Sequence, residues 1–439
     1  MNYTKQTYLV AFALFSLFFG AGNLILPPFL GYNAGSSWVW VAIGFALSAV
    51  VIPILAIYGH SRLQGTLLDF ANQVSPKFAI LYAIIIYSIC VSLPSPRTAS
   101  VAYQIAVAPY FDISSLSISA IYFTLVLVFA LNRIRILSLI GTFLTPLIVL
   151  LLLLIIALGF FADLAPMGNT IFENTFTEGV LEGYQTFDAL GGVVVGGVIV
   201  ISLALQDKYN YKEKKRMIAR SGLLAGIGLF FVYGGLIALG AYYSGNLQVT
   251  ERIDLLNILS TNTLGDYGTA FLGVLVALAC FTTAVGIVTG TADFVKGIAK
   301  NTPWAYTITS IMGCIIGVLV GQFDVRFIIN VALPALMIIY PITIVLIILN
   351  SIPTGLASAL IFRAVTITTF VFSIPDFLEF FMSPGSLDSV KQWIPFAKQG
   401  MGWVLPGLLV FIGVNIYKHT KKNKTSRRLR VHEILNFIC

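Results

Sequence analysis

Gly20-Ala21-Gly22-Asn23, with Pro27-Pro28 close behind, interrupts the first apolar stretch of the chain. Glycines permit backbone geometries that other residues resist, and prolines remove helix donors. About 170 residues later a second apolar stretch is interrupted at Thr186-Phe187-Asp188-Ala189-Leu190-Gly191-Gly192. A broken helix exposes free N–H groups at one end and free C=O groups at the other. Lipid can satisfy neither, so such backbone persists only inside protein or beside a polar cavity. Two broken membrane helices, each opening one half of a chain, point to a substrate and ion site at the bilayer midplane.

The chain around these breaks is strongly apolar: 58% hydrophobic residues, 10% charged and a mean hydropathy of +0.92. Apolar runs of about twenty residues, long enough to cross hydrocarbon, recur along its length. They predict an all-α integral membrane protein of about twelve spans. The spans are 7–31, 38–58, 78–108, 115–131, 136–162, 184–206, 219–244, 264–292, 304–321, 326–349, 357–374 and 401–417. Spans three and eight are long enough to expect a tilt or bend. The chain divides into a five-helix unit 7–162, a second unit 184–349, accessory helices 357–417 and a basic tail 418–439. Five is odd, so the second unit is expected to be inverted relative to the first. The acidic segment 163–183 is expected as an external connection.

Charge placement predicts orientation. With the N-terminus and Lys5 in the cytoplasm, that side collects Arg62, Lys77, Arg133, Arg135, the cluster from Lys208 to Arg220, Lys296, Lys300 and the tail from Lys418 to Arg430. The opposite loops carry mostly acids, among them Asp163, Glu173, Glu178, Glu182, Glu251, Asp376 and Glu379. Both termini are thus expected in the cytoplasm. The net charge of +8 reflects this bias and attraction to anionic lipid heads, with no nucleic acid partner implied. Cys90, Cys280 and Cys314 fall within spans, Cys439 ends the tail, and none has metal-ligand or redox spacing. His60, His419 and His432 are placed at loops or in the tail. No nucleotide-binding or hydrolase motif occurs, so neither an enzyme nor a cofactor is expected, and an ion gradient is the economical energy source.

Several residues are candidates for chemistry. The amides of Ala21 and Gly22 would begin a half-helix whose positive end favours a carboxylate. Asn23 beside them demands partners when buried. Asp188 is the acid placed well inside a span, where function is the default reading. It could bind an ammonium, join a cation site or pair with Arg97. Arg97, in Pro94-Ser95-Pro96-Arg97-Thr98, could hold a carboxylate or neutralise Asp188. Gly192 and Gly196 have the spacing of a packing face. The adjacent hydroxyls of Thr282 and Thr283 suit a small hard cation, or bond back to their own helix.

With Phe18-Phe19-Gly20-Ala21-Gly22-Asn23, Pro27-Pro28, Pro96-Arg97-Thr98-Ala99, Asp188-Ala189-Leu190-Gly191, Thr283-Ala284-Val285-Gly286 and Tyr340-Pro341 in this order, the chain resembles the bacterial branched-chain amino acid carriers, the leucine–isoleucine–valine cation symporters. That resemblance implies uptake of leucine, isoleucine and valine with a cation, usually sodium, across the bacterial plasma membrane. It also implies similarity to amino acid symporters with a five-plus-five inverted repeat and broken helices one and six. Carried onto this sequence, the amides of Ala21 and Gly22 hold the substrate carboxylate. The carbonyls of Ser16, Phe19 and Ala279 with the hydroxyls of Thr282 and Thr283 ligate sodium. Asn23 touches the substrate or a second ion, and Thr186, Phe187 and Asp188 form the neighbourhood of the ammonium. No protein partner is required by this reading. The bundle of spans one, two, six and seven is expected to rock against spans three, four, eight and nine. A proton-coupled carrier of other neutral amino acids is the alternative, because Asp188 can carry a proton.

Overall fold

The computed structural model describes residues 3–132, 145–161, 166–204, 209–245, 249–383 and 385–438. Arg133, Arg135, Asp163, Lys208, Cys439 and the start of the expected span 136–162 lie outside the described residues, as do the side chains of the tail beyond Lys421. Among the described residues there is no β-strand. In chain order come α1 (Tyr3–Phe18), α2 (Ala21–Ala34), α3 (Trp38–Ala46), α4 (Ile52–Leu63), α5 (Leu67–Asn72), α6 (Pro76–Ser92), α7 (Pro94–Ala106), α8 (Ser115–Leu131) and α9 (Thr145–Phe160). They are followed by α10 (Thr175–Tyr184), α11 (Asp188–Ala204), α12 (Tyr211–Tyr242), α13 (Arg252–Ile298), α14 (Pro303–Gly321) and α15 (Val325–Ser351). Then come α16 (Ala359–Leu378), the short α17 (Asp388–Lys391) and α18 (Val404–Ile438). Every expected span overlaps one of these helices.

Among the described residues, seven helical runs are long and apolar enough to cross a membrane, and α10 with α11 makes an eighth, broken one. The run Gly22–Leu63 counts once among them, although it holds the end of the first expected span and all of the second. The chain turns between these at Gly35, where φ is 49°. Large apolar side chains such as Ile121, Leu125 and Phe231 stand exposed on the outer surface, as a lipid-facing surface requires.

The first expected break is where the sequence placed it. Helix α1 stops at Phe18 and α2 begins at Ala21, with Gly20 in an extended conformation. Gly20 N–H bonds the Phe18 carbonyl at 2.9 Å, not Ser16 four residues back, so the Ser16 carbonyl loses its helical donor. Pro27 and Pro28 sit inside α2 and likewise deprive the Asn23 and Leu24 carbonyls of donors.

The second break corrects the sequence reading. The interruption spans Gln185–Phe187, and Gly191 and Gly192 lie within regular helix. Part of the segment 163–183, expected as an external connection, is instead α10, the first half of the broken span, bent by 43° from α11. Its sequence conceals this because Glu178 and Glu182 read as loop charge. Helix α10 packs on α3, where a π-helical turn at Leu47–Val51 brings the Ser48 hydroxyl 2.8 Å from the Val180 carbonyl, to which it donates.

Spans three and eight bend as expected. Span three is divided between α6 and α7 at Leu93, ahead of Pro94 at the first position of α7. Span eight starts earlier than 264: α13 runs from Arg252 and turns at Gly265, whose φ of 69° and ψ of −177° suit only glycine. His60 is no loop residue. It is fully buried in α4, with its ring nitrogens 3.0 Å from the Gly65 carbonyl and 2.9 Å from that of Val193. Asp376, read as an external loop acid, is buried in the last turn of α16, 3.2 Å from Lys391.

Candidate functional site

The two breaks meet. Asn23, in the first turn of α2, donates from Nδ2 to Asp188 Oδ2 at 2.5 Å and also to the Tyr233 hydroxyl. Tyr233, from α12, donates in turn to Asp188 Oδ2 at 3.3 Å. All three side chains are buried. Asp188 opens α11, so its carboxylate lies where a helix N-terminus stabilises negative charge.

The backbone of the second break is held by side chains. Thr186 Oγ1 donates to the Gly183 carbonyl at 2.8 Å and accepts Asp188 N–H at 3.2 Å. The Tyr340 hydroxyl accepts Ala189 N–H at 3.1 Å. Arg97 Nη1 donates to the Gln185 carbonyl at 2.6 Å. Phe187 adopts a φ of 65°, a left-handed conformation that is strained for a bulky residue and concentrates at functional sites. Its ring lies under the Arg97 guanidinium, 5.0 Å from centroid to Cζ.

Arg97 and Asp188 do not pair: no ion pair within 4.0 Å joins them. Of the three roles open to Asp188, the structural pair with Arg97 is thus absent, and its partners are Asn23 and Tyr233. The guanidinium turns instead to Gly22, where a Cβ would fall 2.3 Å from Nη2. Any side chain at Gly22 would displace the guanidinium from this place. Arg97 Nε is buried without a hydrogen-bond partner among the described residues. A cation with an unspent donor thus sits against the amino end of α2, and both attract an anion.

These groups line a cavity of about 70 Å³. Asn23, Arg97, Thr186, Phe187 and Asp188 face it, with Gly20, Thr283 and an apolar wall that includes Tyr87, Cys90, Gly191, Val194 and Ile287. The cavity adjoins a vestibule of about 620 Å³ that reaches exposed Gly297 and Ile298 beside Lys296. Access is thus built toward the basic end of the molecule. At the opposite end Arg252 closes on Glu182 at 2.6 Å and on Gln185 Oε1 at 3.0 Å.

The candidate cation ligands lie in α1 and the break after it (Ser16, Phe19) and in α13 (Ala279, Thr282, Thr283), and they do not all line one cavity. Thr283 packs on Gly20, its Oγ1 3.5 Å from where a Cβ would stand. The Thr282 and Thr283 hydroxyls both donate to the Ala279 carbonyl, at 2.8 and 3.2 Å, the local bonding usual for threonine in helices. Their lone pairs stay available to a cation. Phe19 and Ala279 line one small apolar gap, and the Ser16 hydroxyl is buried with no partner among the described residues. Thr282 faces the vestibule, so of the two threonines Thr283 lies nearer the break.

Sequence reasoning missed Tyr233 and left Tyr340 without a role. Both are tyrosines in apolar helices, and only the tyrosine hydroxyl's need for a partner when buried hinted at them. Arg252 and Gln185 gave no signal either.

The model of the family described as branched-chain amino acid transport protein matches residues 3–421. The branched-chain amino acid permease BraB of Bacillus subtilis is 32% identical over 92% of this chain and 94% of its own length. The branched-chain amino acid transport system 2 carrier protein of Pseudomonas aeruginosa is 32% identical over 92% of this chain and 95% of its own. Among solved structures the chain is similar to Mhp1, a nucleobase-cation-symport-1 family transporter in a closed conformation with bromovinylhydantoin bound, with a TM-score of 0.56 at 12% identity over 95% and 93% of the two chains. It is also similar to MhsT in complex with L-phenylalanine, with a TM-score of 0.55 at 12% identity over 92% and 97%. These likenesses show the fold, an all-helical transporter architecture of the inverted-repeat kind. The relatives are permeases and carriers, not enzymes. With its paired helix breaks, buried cavity and full-length match, the chain belongs to the branched-chain amino acid transport protein family.

Proposed function

We propose that the protein takes up leucine, isoleucine and valine with sodium across the bacterial plasma membrane by alternating access. One observation carries this reading. At the meeting of two helix breaks, one buried cavity holds a guanidinium and a carboxylate that do not pair with each other, beside an apolar wall. A zwitterion with an aliphatic side chain matches all three features. Its carboxylate goes to Arg97 and the Ala21 and Gly22 amides, and its ammonium to Asp188 and the Thr186–Phe187 backbone.

Sodium takes the carbonyls of Ser16, Phe19 and Ala279 and the hydroxyls of Thr282 and Thr283. The support is the Ser16 carbonyl's missing helical donor, the unpartnered Ser16 hydroxyl and the contact of Thr283 with Gly20. Oxygen ligands of this kind suit a hard cation. The basic end faces the cytoplasm with both termini, by the positive-inside rule. The vestibule at that end and the Arg252–Glu182 closure at the other then correspond to an inward-facing arrangement. Proton coupling is a second reading, favoured by the burial of Asp188 among the neutral groups of Asn23 and Tyr233.

The test is leucine uptake into proteoliposomes under an imposed sodium gradient or an imposed pH gradient. Sodium-driven uptake is expected, and Thr283→Ala should raise the sodium concentration for half-maximal uptake at least about tenfold, since even loss of a group that only supports a ligand costs that much. Uptake that follows only the pH gradient would favour the proton reading. Uptake that ignores both gradients would remove the proposal.

A further inference from the structure

One glycine of α11 has no explanation in the fold. Gly192 packs on Ala56, 3.0 Å from a would-be Cβ, and Gly197 lies 3.3 Å from Thr66. At Gly196 a Cβ would fall 2.3 Å from His60 Cδ2. Those three have close neighbours. Gly191 has none: a Cβ there meets no atom within 4 Å. Nor does its backbone need glycine. It lies inside regular helix, its N–H bonds the Phe187 carbonyl at 2.8 Å, and it is not among the positive-φ residues. Alanine would be the more stable choice in such a place.

The empty space belongs to the cavity. Gly191 lines it one turn beyond Asp188, and Val194 and Val195 follow on the same face. Val195, Val198 and Ile201 continue that face down the vestibule. A substrate whose ammonium sits at Asp188 therefore lays its side chain along α11, and the first position it crosses is Gly191.

We propose that Gly191 is a specificity-determining residue. Its missing side chain is the room in which an aliphatic side chain branched at Cβ or Cγ lies, so this position sets the upper size of substrate. The inference rests on the transport reading above and adds the residue that admits the branch. A methyl group there would fill cavity and touch no protein atom, so its effect should fall on substrate and not on folding.

The experiment compares wild type, Gly191→Ala and Gly413→Ala in proteoliposomes, measuring KM and maximal rate for leucine, isoleucine, valine and alanine. Gly413, in α18, also has nothing within 4 Å of a would-be Cβ and lies outside the cavity lining, so its variant should match wild type. For Gly191→Ala, KM for the three branched substrates should rise about tenfold, the usual worth of one methylene in an apolar pocket. KM for alanine should stay within about twofold, so the preference for branched over small substrates narrows. Unchanged KM for leucine and isoleucine would overturn the proposal. So would failure of Gly191→Ala to reach the membrane at normal abundance, because the glycine would then serve packing. If wild type takes up none of the branched substrates, the transport reading itself fails, an outcome visible before any variant is made.

Discussion

Asn23 and Asp188, 165 positions apart, are joined by a hydrogen bond of 2.5 Å that ties the first broken helix to the second. Each residue belongs to a turn of helix that begins inside the apolar bundle, and Tyr233 completes the set from a third helix. A buried carboxylate with these partners is stable only while they are present.

Asn23→Ala should therefore cost about 1.5–3 kcal/mol, the worth of a hydrogen bond to a charged group. Thermal unfolding of the purified protein in detergent measures the loss. Asp188→Asn removes the charge proposed to hold the ammonium and should lower leucine uptake at least about tenfold. Uptake within about twofold of wild type in Asp188→Asn would remove Asp188 from the substrate site.

Gly22→Ala tests the contact with Arg97. The added methyl would strike Nη2, the far end of a flexible side chain, so Arg97 can move aside and the fold should survive. Transport should suffer, with KM for leucine raised about tenfold or more. Arg97→Lys should behave similarly, because a single ammonium cannot both bond Gln185 and present a second donor in the same fork. Uptake kinetics beside melting temperature separate the two effects. A large stability loss with unchanged KM would contradict this account.

Arg252→Ala should loosen closure at the acidic end. Its ion pair with Glu182 is partly exposed, at 26% and 15%, so solvent screening limits the gain to about 1 kcal/mol, roughly a fivefold change in population. Cys90 lines the cavity and reports access when the other cysteines are replaced. Labelling of Cys90 by a membrane-impermeant thiol reagent from the acidic side should be slow in wild type and severalfold faster in Arg252→Ala. Equal rates would mean that Arg252 does not gate this side.

Lys391 predicts a pH dependence. Burial works to lower its pKa, but the Glu379 and Asp376 carboxylates outweigh it, so the value is raised above that of ordinary lysine. A raised lysine pKa gives stabilisation that is complete below the unfolded value of about 10.4 and fades as pH climbs through the folded value. Detergent melting should thus show no loss from this group across neutral pH and a decline only in strongly alkaline solution. Lys391→Met leaves Asp376, 3% exposed, without its cation and should cost about 3 kcal/mol. Glu379→Gln should cost less than about 1 kcal/mol, because Glu379 is 58% exposed.

The breaks themselves were legible because backbone chemistry is local. Gly20 and Gly22 ahead of Pro27 and Pro28 weaken a helix wherever they occur, and Asp188 inside an apolar run announces itself by its solvation cost. The extent of the second broken span was not legible. Glu178 and Glu182 made α10 look like a loop, and only its packing on α3 reveals a half-helix. His60 misled for the same reason. A histidine near Arg62 reads as a helix end at a surface, yet its ring nitrogens meet the Gly65 and Val193 carbonyls in the interior.

The sequence by itself determined that this chain is a multi-span membrane protein, that two of its apolar stretches are interrupted and that Asp188 and Arg97 fall inside apolar runs, because those follow from composition, dihedral preference and the cost of burying charge. Only the tertiary structure decided that Asp188 meets Asn23 and Tyr233 while Arg97 turns to Gly22, and that access lies toward Lys296 and not toward Arg252. Those choices depend on which side chains from distant helices reach the same few ångströms, and spacing along a chain carries no record of that distance.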